Sequence, residues 1–177
     1  MTYETGTVGD AVVEEVRNND RVILDDERLA AELFARSKPF LPATLEGDVL
    51  VGFNERLRFY RYAPGQTFKP HRDGAYLRIK QREESWLTFM VYLNDDLVGG
   101  QTNFFSDMRQ AFGRQPFLSV APKRGMALVF VHDVWHEGAP VIRGRKYVLR
   151  TDVMYGRRRR VKPDSVSREA QQPGPPE

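Results

Sequence analysis

The chain contains no cysteine, which excludes disulfide bridges and thiolate metal sites and suits a reducing compartment. No apolar run approaches the roughly 20 residues that span a bilayer. The opening Met1-Thr-Tyr-Glu-Thr-Gly shows no basic region followed by an apolar one, so no secretory signal and a cytoplasmic location are expected. Histidine is scarce: His71, His132 and His136 are the only three. An excess of charge is also missing from most of the chain. From residue 157 onward six basic residues (Arg157, Arg158, Arg159, Arg160, Lys162, Arg168) accompany three acidic ones, so this tail carries the whole net charge of +3. Residues 1–156 are formally neutral, which argues against a nucleic-acid-binding globular part. What remains is a chain of 177 residues with ordinary globular composition, enough for one domain with a proper core.

Residues 11–17 fit either a short helix or a strand. Asp25 and Asp26 are N-cap candidates for a helix over Glu27–Arg36, with Leu29, Leu33 and Phe34 as its buried stripe. Pro39 and Pro42 end it. Strands are expected at Leu57–Tyr62, Trp86–Leu93, Phe117–Val120, Met126–Val131 and Tyr147–Tyr155, where aromatic and β-branched residues concentrate. Arg78–Glu84 reads as a charged loop, and Asn94-Asp-Asp and Gly99-Gly100 as turns. Residues 106–116, polar with one glycine, are expected to form a mobile lid. The terminal Gln171-Gln-Pro-Gly-Pro-Pro-Glu is expected to be disordered. There is no internal repeat. Short strands after one helix point to an antiparallel β-sandwich or barrel. The expected organisation is a helical support segment (1–48), a catalytic domain (49–156) and a basic tail (157–177).

Chemistry concentrates in Tyr62-Ala-Pro-Gly-Gln-Thr-Phe-Lys-Pro-His71-Arg-Asp73. On an extended chain residues i and i+2 share a face, so His71 and Asp73 present an imidazole and a carboxylate side by side. Alone, His-x-Asp also describes an ordinary hydrogen-bonded surface pair. A third ligand would change that, since two histidines and a carboxylate with open positions suit non-haem Fe(II). His132 and His136 compete for the role. They would share a face on a helix, but Leu128-Val-Phe-Val and Gly138-Ala-Pro argue against one there. His136, expected just after strand Met126–Val131, is the candidate, and His132 is read as structural or as a support behind the ligands.

Tyr62-x-Pro-Gly-x-x-Phe-x-Pro-His71-x-Asp73, Tyr92-Leu-Asn, Gly99-Gly100-x-Thr102-x-Phe104 and His136-x-Gly138-x-Pro140-Val141-x-x-Gly144-x-Lys146 occur in that order. The set, over about residues 57–155, resembles the catalytic domain of the prolyl 4-hydroxylase-like Fe(II)/2-oxoglutarate dioxygenases. The resemblance implies a mainly β fold with flanking helices around a double-stranded β-helix (jelly-roll) core. It implies His71, Asp73 and His136 as metal ligands, with no further catalytic side chain. Lys146 takes the position of the residue that binds the far carboxylate of 2-oxoglutarate, and Tyr62 and Tyr92 those of tyrosines that contact it. Core packing is the plainer role for each tyrosine. Arg150 shares a face with Lys146 by alternation and is a second anion contact or a substrate residue. By the same alternation Thr88 joins Met90 and Tyr92 at the pocket.

The implied reaction consumes O2 and 2-oxoglutarate, releases succinate and CO2, and hydroxylates an unactivated C–H bond. Ascorbate would serve as reductant. A prolyl residue of a protein or peptide is the first substrate class, and a free amino acid or other small metabolite the second. A non-enzymatic binding module on the same fold is a competing reading. Nucleic-acid demethylation has the least support, because the basic cluster Arg157–Arg160 has no interleaved aromatics beyond Tyr155.

Overall fold

The computed structural model describes residues 18–157, together with the short strand segments Glu4–Thr5, Thr7–Val8 and Ala11–Val12. The expected disorder at 171–177 lies outside these residues. The elements that build the site are β1 (Asp20–Asp25), α1 (Glu27–Ser37), β2 (Asp48–Phe53), β3 (Arg56–Tyr62), β4 (Phe68–His71) and β5 (Glu83–Tyr92). They continue with β6 (Thr102–Phe105), α2 (Met108–Gly113), β7 (Leu118–Val120), β8 (Ala127–Val131), β9 (Trp135–Gly138) and β10 (Lys146–Arg157).

Among the described residues these strands form two antiparallel sheets, beside two short two-stranded ribbons. The larger is organised on β10. On one side β5 pairs with it from Glu83 opposite Gly156 to Tyr92 opposite Val148. On the other, β3 pairs with Lys146–Arg150 and β2 with Val153–Arg157. β2 and β3 are thus one strand path interrupted at Asn54. There the Asn54 N–H donates to the Asp152 carbonyl (2.9 Å), and the Thr151 hydroxyl donates to the Asn54 carbonyl (2.6 Å). β1 extends this sheet beyond β3, and β8 extends it beyond β5. The smaller sheet has the order β7-β6-β9-β4.

The apolar alternation of these strands fills two cores. On the outer face of the larger sheet, Leu29, Leu33 and Phe34 of α1 pack against a cluster that includes Phe53, Leu57, Phe89 and Val153. Burying such side chains is worth about 1.5–3 kcal/mol each. Asp26 caps α1, its carboxylate accepting from the Leu29 N–H at 2.9 Å. Between the sheets lie Tyr60, Tyr62, Met90, Tyr92, Val141 and Val148, with Phe68, Leu128 and Phe130 against them. The inward face of β10 is not uniformly apolar, because Lys146, Arg150 and Asp152 alternate along it with Val148.

Strands β1 and β2 were not expected from the sequence, and three further departures bear on the site. β5 begins at Glu83 rather than Trp86, because the charged stretch pairs with Tyr155 and Gly156 and returns against Leu77–Arg78. Residues 106–116 are not loop throughout: Asp107 caps the helical turn α2, accepting from the Gln110 N–H. His136 lies within its own strand, β9, beyond a turn that follows β8. Trp-His-Glu-Gly has no apolar alternation, and pairing with β6 and β4 makes it a strand.

Candidate active site

β4 and β9 are neighbours, and their register sets His71 directly opposite His136. Both rings are oriented by the same local device. His71 Nδ1 donates to the Lys69 carbonyl at 2.8 Å, and His136 Nδ1 donates to the Val134 carbonyl at 3.0 Å. Each bond reaches two residues back along the strand and leaves Nε2 as the free acceptor. Asp73 follows β4, its N–H anchored on the His132 carbonyl. His71 Nε2 is 3.7 Å from Asp73 Oδ1, and His136 Nε2 is 3.6 Å from Asp73 Oδ2. The three donor atoms lie within 4.8 Å of one another, which is a spacing a single cation can bridge.

The charge states suit that role. Burial, and then the neighbouring His136, lower the His71 pKa to about 3. Burial likewise lowers His136. Both imidazoles are therefore neutral near pH 7, as ligands must be. Burial alone would raise Asp73, but the Arg150 guanidinium, the histidines and the Thr88 hydroxyl outweigh it and hold the carboxylate ionised. Two neutral nitrogens and one carboxylate oxygen fit Fe(II).

His132 stands outside this group. Its ring lies between the Thr88 hydroxyl (3.0 Å from Nδ1) and the Ser85 hydroxyl (2.8 Å from Nε2), so both nitrogens are engaged in a buried bridge. Thr88 in turn donates to Asp73 Oδ2.

Lys146 opens β10 opposite Tyr62. It is 2 % exposed, and its Nζ lies 5.2 Å from the Tyr62 ring centre and 5.4 Å from that of Tyr92. Among the described residues it has no acidic partner. Burial alone lowers its pKa to about 7. Lys146 shares one cavity with His71, Asp73 and His136, and that cavity's walls include Phe68, Met90, Phe130 and Val148. A buried cation that faces a cavity without a counterion fits an acidic ligand.

The remaining sequence candidates fall in distinct places. Tyr62 lines the cavity, with its hydroxyl against Gly138. Tyr92 is fully buried and does not line the cavity: its hydroxyl lies 2.6 Å from Thr102 Oγ1 and 3.3 Å from the Val120 carbonyl, and its ring faces Lys146 Nζ. Arg150 lines the cavity, but its guanidinium is taken up by Asp73 (3.0 Å) and Asp152 (3.3 Å). Tyr60 and Phe130, which escaped the sequence reading, also line it, as does Thr102, which the sequence offered only as part of a motif. Alternation on β3 and β8 was the signal available for Tyr60 and Phe130.

An antiparallel jelly roll with two imidazoles and a carboxylate converging in the cavity of a buried lysine is an arrangement that suits a metal-dependent oxygenase. Residues 57–151 match the family model of the 2OG-Fe(II) oxygenase superfamily, and the chain belongs to that superfamily, whose members are 2-oxoglutarate-dependent dioxygenases. Among solved structures it is similar to a Pseudomonas putida prolyl-4-hydroxylase (TM-score 0.59, 22% identity, covering 88% of this chain and 78% of that one). It is also similar to a collagen prolyl hydroxylase of Paramecium Bursaria Chlorella virus-1 bound to 2-oxoglutarate (0.58, 21%, 81% and 82%). A third is a Trichoplax adhaerens prolyl hydroxylase bound to a hypoxia inducible factor peptide fragment (0.64, 17%, 87% and 70%). The shared fold is the double-stranded β-helix. No curated protein matches the chain, and no helix among the described residues is long and apolar enough to cross a membrane.

Proposed function

We propose that this chain hydroxylates a prolyl residue within a polypeptide, with His71, Asp73 and His136 holding Fe(II) and Lys146 binding the far carboxylate of 2-oxoglutarate. The observation that carries the site assignment is the buried Lys146 without an acidic partner, in the same cavity as the three converging donors. The polypeptide substrate is supported by the fold relatives, one of which is seen with a peptide fragment. Residues 49–156 act as the catalytic domain and 1–48 as its support. Fe(II) with bound 2-oxoglutarate supplies the oxidative chemistry, which consumes O2, releases succinate and CO2, and places one oxygen atom on a C–H bond.

The chain's own residues bind, orient and exclude water. The backbone carbonyls of Lys69 and Val134 fix the imidazoles, so no ligand has to be reoriented when the metal enters. Lys146 is charged once a carboxylate lies beside it, and the rings of Tyr62 and Tyr92 keep water from competing for its protons. Phe68, Met90, Phe130 and Val148 wall the cavity, which strengthens the electrostatic contacts inside it.

The test is anaerobic loading with Fe(II) and 2-oxoglutarate, then exposure to O2 with succinate quantified. Wild-type protein is expected to form succinate and His71→Ala none. Equal succinate from both proteins, or failure of the wild type to bind Fe(II), overturns the assignment. Stimulation by proline-containing peptides supports the prolyl reading, whereas stimulation by free amino acids alone replaces it with a small-metabolite hydroxylase.

A further inference from the structure

Behind the three donors runs a buried chain of alternating charge. Arg58 Nη1 lies 3.0 Å from Asp152 Oδ2, Asp152 Oδ1 lies 3.3 Å from Arg150 Nη2, and Arg150 Nη2 lies 3.0 Å from Asp73 Oδ2. Asn54 Nδ2 also donates to Asp152 Oδ2 at 2.9 Å. The side chain of Asp152 is 2 % exposed and that of Arg150 16 %. The two oxygens of Asp73 are therefore inequivalent. Oδ2 accepts from the Thr88 hydroxyl, pairs with the Arg150 guanidinium at 3.0 Å and lies 3.6 Å from His136 Nε2, whereas Oδ1 has no donor of that kind and lies 3.7 Å from His71 Nε2.

We propose that Arg150 is a positioning residue for the metal centre: by occupying Asp73 Oδ2 it fixes the carboxylate plane and leaves Oδ1 as the single oxygen offered to the metal. This rests on the reading of His71, Asp73 and His136 as metal ligands. Two effects of the guanidinium oppose one another. Its charge repels a divalent cation and draws electron density from the carboxylate, which weakens binding. Its ion pair with Oδ2, beside the Thr88 hydrogen bond to the same oxygen, restricts the carboxylate's rotation, which strengthens binding. Asp152 decides between them. Held by Arg58 and Asn54, it compensates Arg150 from the far side, so the Arg150–Asp152 pair is close to neutral as seen from the metal position. The directional effect then prevails. Support of a metal ligand by an outer hydrogen-bonding partner is typically worth 10–100-fold in metal affinity.

The experiment is titration of the full chain with Co(II), followed by its visible absorption without 2-oxoglutarate, for wild type, His71→Ala, Arg150→Met, Arg150→Lys and Arg58→Met. The folded fraction of each is checked by circular dichroism. Wild type binds, and His71→Ala does not. Arg150→Met is expected to lose 10–100-fold in affinity with an altered d–d spectrum, and Arg150→Lys, which keeps one donor and the charge, to recover part of both. Arg58→Met, which perturbs the same buried chain without touching Asp73, is expected to lower the melting temperature while keeping the spectrum. If Arg150→Met does not fold, Arg150→Lys and Thr88→Val, which removes the other donor to Oδ2, carry the test through the same loss.

Unchanged or tighter Co(II) binding by a folded Arg150→Met or Thr88→Val overturns the proposal. So does a loss in Arg150→Met confined to 2-oxoglutarate affinity, which would make Arg150 an anion contact through its unpartnered Nε. Failure of the wild type to bind Co(II) overturns the metal assignment itself, a different result.

Discussion

Lys146 is stored in the ligand-free protein at a cost. Its pKa falls from 10.5 to about 7 because it is buried. The folded chain therefore disfavours the ammonium that the unfolded chain carries. That penalty is fully present below about pH 7 and is relieved as pH rises toward 10.5. Lys146→Met removes it and keeps the volume, so the variant is expected to be more stable than wild type at pH 7 by on the order of 2–4 kcal/mol. It is also expected to lose 2-oxoglutarate binding. Equilibrium denaturation and calorimetric titration check the two halves, and a destabilised variant that still binds 2-oxoglutarate would remove Lys146 from the site. In the wild type, 2-oxoglutarate affinity is expected to weaken as pH rises above 7, because the neutral amine offers no charge to the carboxylate. Sequence could place Lys146 and Arg150 on one face of a strand. It could not say which acid each would meet, since Asp73 and Asp152 reach Arg150 from positions 79 residues apart in the chain.

At the level of elements, the site depends on turns that set strand register. Gly99 has a φ of +82°, and a Cβ there would come within 2.6 Å of the Pro140 carbonyl oxygen. Neither the conformation nor the backbone contact can relax cheaply. Gly99→Ala is expected to cost about 2–4 kcal/mol in denaturant unfolding. Gly113→Ala, in α2 with open space around it, is expected to be neutral or slightly stabilising. A Gly99→Ala variant as stable as wild type would show that the Val98–Gly99 pairing with Val141–Arg143 is dispensable. Strands with dense aromatic and β-branched content, β3, β5, β8 and β10, were legible to within a few residues, as was the capped helix α1. β1, β2 and β9 were not. Trp135-His-Glu-Gly becomes a strand through its neighbours β6 and β4, and such tertiary pairing leaves no local pattern. The ordered motifs around His71, Asp73, His136 and Lys146, through the family they resemble, pointed to one cavity across that gap, and the structure brings the four residues together there.

For the whole molecule, acid and metal act through the same groups. Burial lowers His71 to about 3 and lowers His132 and His136 as well. Below about pH 6.5 the unfolded chain takes up protons that the metal-free fold resists, so stability falls from there toward pH 3. Asp73, held below its ordinary value, acts in the same direction once pH drops under about 4. Melting is expected at lower temperature at pH 5.5 than at 7.5. Co(II) at 100 times its dissociation constant is expected to add about 2.7 kcal/mol at pH 7.5, and less at pH 5.5, where protons compete for the imidazoles. A melting temperature indifferent to Co(II) at pH 7.5 would separate the donor cluster from metal binding. One consequence follows from the place of β10. It is flanked along its length by β5 on one side and by β3 and β2 on the other, so its amides sit among the slowest-exchanging of the fold. Lys146, proposed to bind the co-substrate, and Arg150, proposed to position Asp73, are both rooted there, which ties the two roles to global unfolding rather than to local breathing. On the proposed assignment, exchange of 2-oxoglutarate and succinate proceeds with the strand that carries Lys146 standing still.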